Sequence, residues 1–285
     1  MDMYTKGIND LMEPLKSRTK VFKDFESINE YYANDFCEEL EKKQNNGEML
    51  NVICPVGPID YRYFAAEVNK RGLSCRNLCM INMDEYIGED GELISESHPL
   101  SFRKFMNEQF YSLIPKDKAP LPENRVFPDP KAPEKITELI DKIGGADMVW
   151  CGMGITGHIA FNDPPSMLGE KDDLKSFRNS KTRIVVTSPM SNAQMAMGGT
   201  NGIHEIIPPT AVTIGVYELY KTRKFYWTFM RNWHAGLWRR AIFGPVDRNF
   251  PGSLMQDHPN LYMNLTEIAA AVPMVDTQQA TGENK

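Results

Sequence analysis

No stretch of this sequence approaches the roughly 20 consecutive apolar residues that a membrane-spanning helix needs, so no membrane partner is expected. Residues 1–20, MDMYTKGINDLMEPLKSRTK, also lack the apolar core segment of a secretory leader, and the expectation is a soluble, cytoplasmic protein. Positive charge is short as well. Asp and Glu number 38 against 32 Lys and Arg, a net charge of −6, and the basic residues are scattered, which argues against nucleic acid or an anionic membrane as partner. The five cysteines, Cys37, Cys54, Cys75, Cys79 and Cys151, are odd in number and cannot all pair. Three lie in or beside apolar strand-like runs, as buried free thiols of a reducing cytoplasm would. Cys75 and Cys79 have no second pair to complete a zinc site, so no structural metal is expected. There is no internal repeat.

What is present is enough for one large core: 41% of positions are hydrophobic and 10% aromatic. Short apolar runs alternate with longer segments of helical period, which predicts an α/β protein, a doubly wound, mostly parallel sheet with helices on both faces. After a polar extension over residues 1–17, TKVFKDF opens the sheet, and SINEYYANDFCEELEKKQNNG reads as a helix capped by Ser27 and stopped by Gly47. MLNVICP is a strand, IDYRYFAAEVNKRG a helix, NLCMINMDEY a strand running into a loop, and HPLSFRKFMNEQFYSLI a further amphipathic helix. APEKITELIDKIGGAD leads as a helix into the strand MVWCGM. TRIVVT, TAVTIGV, KFYWTFM and LYMNL read as strands, with the helix HAGLWRRAIFG after KFYWTFM. One domain is expected over 18–274, and the polar tail 275–285 is expected to be disordered.

Three polar motifs stand just past predicted strands: CPVGPID, MDEY and GMGITGH. Open α/β sheets place ligands there. The last contains Gly152, Gly154 and Gly157 at the G-x-G-x-x-G spacing of a dinucleotide-binding turn. That fingerprint needs a long helix next and an acidic residue about 20 positions on at a strand end. Here Pro164 and Pro165 cut any helix short, and Asp172 and Asp173 sit in a polar loop, so a nucleotide cofactor is not favoured. Asp84, at a strand end beside Met83 and Tyr86, suits a partly desolvated base, or equally a turn or helix cap.

NMDEYIG followed by HPLSFRKFM, then GMGITGHIAFNDPP, SKTRIVVT, PPTAVTIGVYELY and SLMQDHP, resemble the glucosamine-6-phosphate deaminase (isomerase) family over about residues 18–270. The 6-phosphogluconolactonases share the glycine-rich turn and its histidine, but IAFN and MDEY side with the deaminases. The resemblance implies a Rossmann-like fold, a small sugar as partner, and no cofactor. A homo-oligomer stays open. It implies that Asp84 moves a proton between C2 and C1, that His158 is the ring-opening acid/base, and that two acidic groups orient that histidine. In this sequence those two positions are Thr156, where the family has aspartate, and Asp163, where it has glutamate. Thr156 can accept a hydrogen bond but cannot stabilise an imidazolium as a carboxylate does, a loss of about 1 kcal/mol or more.

Glu85, Gly57, Pro58, Gly154 and Gly157 are the implied sugar contacts. The family's T-G-G-T phosphate loop reads Val56, Gly57, Pro58, Ile59 here. Its arginine and lysine align with Gln194 and His234. Both hydroxyls are gone and Pro58 removes an N–H donor, so the resemblance implies a weakened site for a 6-phosphate, with Arg62 and Arg231 near enough to supply charge. The expected activity is isomerisation or deamination of an amino sugar or close relative without that phosphate. Two competing readings are a sugar lactonase using His158 as base for water, and a catalytically impaired sugar-binding or regulatory protein.

Overall fold

Strands with both faces buried need apolar residues on both faces, and the runs that show this build the central sheet. The computed structural model describes residues 2–169 and 173–273; Asp172 and the tail 275–285 lie outside them. The strands are β1 (Thr19–Phe22), β2 (Leu50–Cys54), β3 (Leu78–Asn82), β4 (Asp84–Ile87), β5 (Arg125–Val126), β6 (Met148–Cys151), β7 (Arg183–Val186), β8 (Thr210–Thr213), β9 (Lys224–Phe229) and β10 (Leu261–Thr266). The helices are α1 (Phe25–Asn45), α2 (Tyr61–Arg71), α3 (Phe102–Gln109), α4 (Glu134–Lys142), α5 (Leu174–Arg178), α6 (Pro189–Gly199), α7 (Val216–Tyr220), α8 (His234–Phe243) and α9 (Glu267–Ala270).

Seven strands form one sheet in the order β1-β10-β9-β6-β2-β3-β5, and every pair in it is parallel. Alternate residues serve opposite cores. Val52 and Cys54 of β2, Met148 and Trp150 of β6 and Tyr226 of β9 pack with Tyr32 and Phe36 of α1 and Phe64 of α2. Ile53, Val149, Cys151, Phe225 and Trp227 pack with Ile136 and Ile140 of α4 and Trp238 of α8 on the other face. The class is therefore α/β with a doubly wound, mostly parallel sheet.

The structure departs from the sequence reading in three places. A second, three-stranded antiparallel sheet, β4-β8-β7, takes TRIVVT and TAVTIGV out of the central sheet and makes a strand of the MDEY segment. Helix α1 is capped by Asp24, whose side chain accepts the Ser27 N–H, so it begins before the expected cap. Residues 2–18 are not a free extension: the 3-10 turn Asp2–Thr5 packs against α8 and the turn Lys16–Arg18 against β10, Leu11 is buried, and the buried Arg239 donates to the carbonyls of Lys6, Ala235, Ala270 and Ala271. The glycine turn is followed by the short 3-10 turn Pro165–Met167, as expected from the two prolines.

From β2 the chain steps one way to β3 and β5; from β6 it steps the other way through β9 and β10. The reversal falls between β2 and β6, where the loops leaving the strand ends diverge and leave a crevice.

Candidate active site

A cleft of about 760 Å³ opens at that reversal. Pro55–Pro58 after β2, Met83 and Asp84 after β3, Gly152–Ile155 and His158 after β6, and Met230–His234 after β9 line it, with α6 along one side. All three polar strand-end motifs therefore reach one space. A second cavity, about 550 Å³, lies around Asn69, Tyr111, Lys116 and Arg125; none of the expected site residues lines it.

The glycine turn is built around the His158 ring. Gly157 N–H donates to Gly154 O at 2.9 Å and Gly154 N–H to His158 O at 3.0 Å. A Cβ on Gly154 would lie 2.0 Å from His158 Cε1. Gly157 has φ +83°, and a Cβ there would enter the Phe250 ring, so both glycines are fixed by geometry. Gly252 N–H donates to Gly157 O at 2.8 Å, which places the segment Pro251–Met255 beneath the turn.

His158 Nδ1 sits 3.1 Å from Asp163 Oδ1, 2.8 Å from Thr156 Oγ1 and 3.0 Å from Ser191 Oγ. Both hydroxyls donate to Asp163 Oδ1, at 2.9 Å and 2.6 Å, so toward the ring they have only lone pairs to offer. The shared proton belongs to Nδ1, and Nε2 keeps its lone pair for the cleft. Ser188 N–H donates to Asp163 Oδ2 at 2.9 Å. Burial alone would raise the Asp163 carboxyl; the hydrogen bonds from His158, Ser191 and Ser188 outweigh it and hold the group well below the usual carboxylate range. Asp163 thus works through a fixed hydroxyl pair, Thr156 and Ser191, in place of a second carboxylate.

Asp84 begins β4 and lines the cleft. Burial pushes its carboxyl up to about 7, opposed by the Thr213 hydroxyl and the Phe161 N–H. Thr213 Oγ1 donates to Asp84 Oδ1 and accepts the Phe161 N–H at 3.0 Å. Neither Thr213 nor Ser191 was singled out from sequence. The signals were a threonine closing an apolar strand, and the serine of SPMS that follows a helix cap.

Several expected contacts fall elsewhere. Successive side chains of a strand point to opposite faces, so Glu85 turns away from Asp84. Its carboxylate accepts the N–H groups of Phe102 and Arg103 at 3.1 and 3.0 Å and the Ser101 hydroxyl at 3.2 Å, capping α3 rather than meeting a sugar. Arg62 has a side chain 66% exposed on α2 and pairs with Asp60, outside the cleft. His234 does line the cleft, but not as a cation. Its Nδ1 accepts the N–H groups of Met230 and Arg231, and Nε2 donates to Met153 O at 3.0 Å. Burial pushes it down to about 4, so it is neutral near pH 7. Gln194 spends its amide oxygen on the Ile155 N–H at 2.6 Å. Gly57 and Pro58 line the cleft, and Pro58 lies over Gly152, whose added Cβ would sit 2.9 Å from Pro58 Cδ. Arg231 is the one permanently charged cation lining the cleft among the described residues. All five cysteines are buried and free, and among the described residues no cluster of His, Cys, Asp and Glu could hold a metal ion. No described helix is long and apolar enough to cross a membrane.

No family model matches the chain. The chain is similar to the glucosamine-6-phosphate deaminases of Shewanella halifaxensis and Shewanella woodyi, at 27% and 28% identity over 254 residues, 88% of this chain and 89% of each relative. Its fold is that of a monomeric glucosamine-6-phosphate deaminase, with a TM-score of 0.74 at 21% identity over 90% of this chain and 99% of that one. It also matches a 6-phosphogluconolactonase from Leishmania guyanensis, with a TM-score of 0.63 at 11% identity over 90% and 98%. The chain belongs to the superfamily that holds the glucosamine-6-phosphate deaminases and the 6-phosphogluconolactonases.

Proposed function

We propose that the cleft isomerises a sugar from aldose to ketose, with or without release of ammonia, and that its substrate lacks a 6-phosphate. The observation that carries this reading is one cleft with a buried carboxyl near 7, Asp84, and an imidazole, His158, anchored through Nδ1 with Nε2 left for substrate. In this reading His158 Nε2 passes a proton to or from the ring oxygen as the aldose opens. The ionised Asp84 then takes the C2 proton and returns it to C1, as a carboxyl raised toward neutrality can do. With an amino group at C2 the product is an imine; water adds to it and ammonia leaves.

The missing phosphate follows from the anion end. Val56 and Pro58 offer no hydroxyl, the Gln194 oxygen is committed, His234 is neutral and Arg62 is elsewhere, which leaves Arg231. A dianion needs several charge-assisted bonds, each contributing about 1.5–3 kcal/mol. A neutral C6 end, or a single carboxylate that Arg231 can meet, needs fewer.

The test is solvent exchange. With glucosamine in deuterated buffer, the protein should place deuterium at C1 or C2, read by NMR. Asp84→Asn should abolish that incorporation while ligand affinity stays within about tenfold, since only the proton acceptor is lost. Retained exchange in the variant removes Asp84 from the mechanism. Lactone hydrolysis without exchange, or binding with neither, replaces the isomerase reading with a lactonase or a sugar-binding protein.

A further inference from the structure

Helix α6, PMSNAQMAMGG, has no charged residue, although much of it faces solvent. Met190, Ala193, Gln194, Met197 and Gly198 stand at i, i+3, i+4, i+7 and i+8, one face of the helix, and all five line the cleft. Met190 is 49% and Met197 84% exposed. A surface helix usually turns charged or polar side chains to water, and two exposed methionines on the face that lines a cleft are the kind of apolar surface that a bound group covers. Met195 lines the cleft as well, and so do Val56, Met230 and Trp233, from the β2 loop and the β9–α8 turn.

The cleft, open to solvent on one side, also has room beyond a monosaccharide. At the roughly 30 Å³ that a water molecule occupies in the liquid, a hexose of about a dozen heavy atoms displaces at most about 360 Å³. That is about half of the 760 Å³ cleft. Asp84 and His158 occupy the catalytic side, so the surplus lies toward α6, the β2 loop and the β9–α8 turn, the segments that the family resemblance assigns to the sugar's C6 end. Arg231 stands beside this compartment; a Cβ on Gly198 would lie 3.9 Å from its Nη2.

We propose that the substrate carries an apolar substituent on its C6 side, an alkyl, acyl or aryl group comparable in bulk to the sugar, and that the methionine face of α6 holds it. Methionine suits this task because its unbranched, polarisable side chain repacks around apolar groups of different shape. The proposal rests on the isomerase reading only for the direction in which the sugar lies.

The experiment is calorimetric titration of glucosamine and its 6-O-methyl, 6-O-butyl and 6-O-hexyl ethers, with deuterium exchange followed separately on the same four compounds. Kd should fall about three- to fourfold for each methylene that becomes buried. In Met190→Gln/Met197→Gln, at positions exposed enough to tolerate the change, the gain per methylene should drop by half or more. Affinity independent of chain length, or a chain-length gain untouched by the double substitution, overturns the proposal. A rising series with no exchange supports the compartment and removes the isomerase reading. Exchange of glucosamine with a flat series does the reverse.

Discussion

Asp163 carries four hydrogen bonds and a negative charge in a buried place, and His158 depends on it for orientation. Asp163→Asn should therefore lower kcat by about a hundredfold or more, because the amide no longer matches both hydroxyl donors and the imidazole N–H. Restoring the family's carboxylate with Thr156→Asp should not help: it sets a second buried carboxylate where Thr156 Oγ1 now lies 2.9 Å from Asp163 Oδ1. Unchanged turnover in Asp163→Asn would show that another group orients His158. Asp84 yields a second expectation, in stability. Its carboxyl is raised to about 7 from 3.8, so folding takes up a proton between those values, and wild-type stability falls as pH rises through that window and levels off above it. Asp84→Asn lacks this dependence. Its stability relative to wild type should grow between pH 4 and pH 8, by at most about 4 kcal/mol. Urea denaturation at both pH values measures it, and an equal difference at the two would place the Asp84 carboxyl near its ordinary range.

At the scale of elements, the glycine turn and α6 hold the site. Gly154→Ala should displace the imidazole, since the new methyl would overlap Cε1 and Nε2, while leaving the sheet intact. A loss of kcat of about a hundredfold or more with Tm within a few degrees is expected, and an active variant would show that the ring has room the structure denies it. The elements also explain what the sequence could reveal. β2, β3, β6, β9 and β10 were legible because strands buried on both faces leave mostly apolar runs. β4 was not, because Asp84 and Glu85 make its start look like a loop, and its partner β8 lies more than a hundred residues away. Ser27 looked like a cap because Asp24, three residues earlier, makes the same type of bond and wins it.

For the whole molecule, the order of strands decides where chemistry can happen. The reversal between β2 and β6 gathers residues 55–58, 83–84, 152–155, 158, 230, 231, 233 and 234 into one cleft; the strand-end positions of three polar motifs point to a shared pocket in the sequence, while the strand order that closes it is not local information. Motif resemblance anticipated the meeting of Asp84 and His158 in one pocket. It did not anticipate Ser191 and Thr213, which come from elements distant in sequence, nor that Arg62 and Glu85 would be taken up by Asp60 and α3. On the proposed function, a catalytic side like that of the deaminases serves a substrate with a different tail. The most direct measurement is kcat/KM for glucosamine 6-phosphate against glucosamine, its 6-O-alkyl ethers and 2-amino-2-deoxyglucuronic acid under one assay. At least one unphosphorylated compound should exceed glucosamine 6-phosphate. A hundredfold advantage for glucosamine 6-phosphate, about 2.7 kcal/mol, would contradict the account.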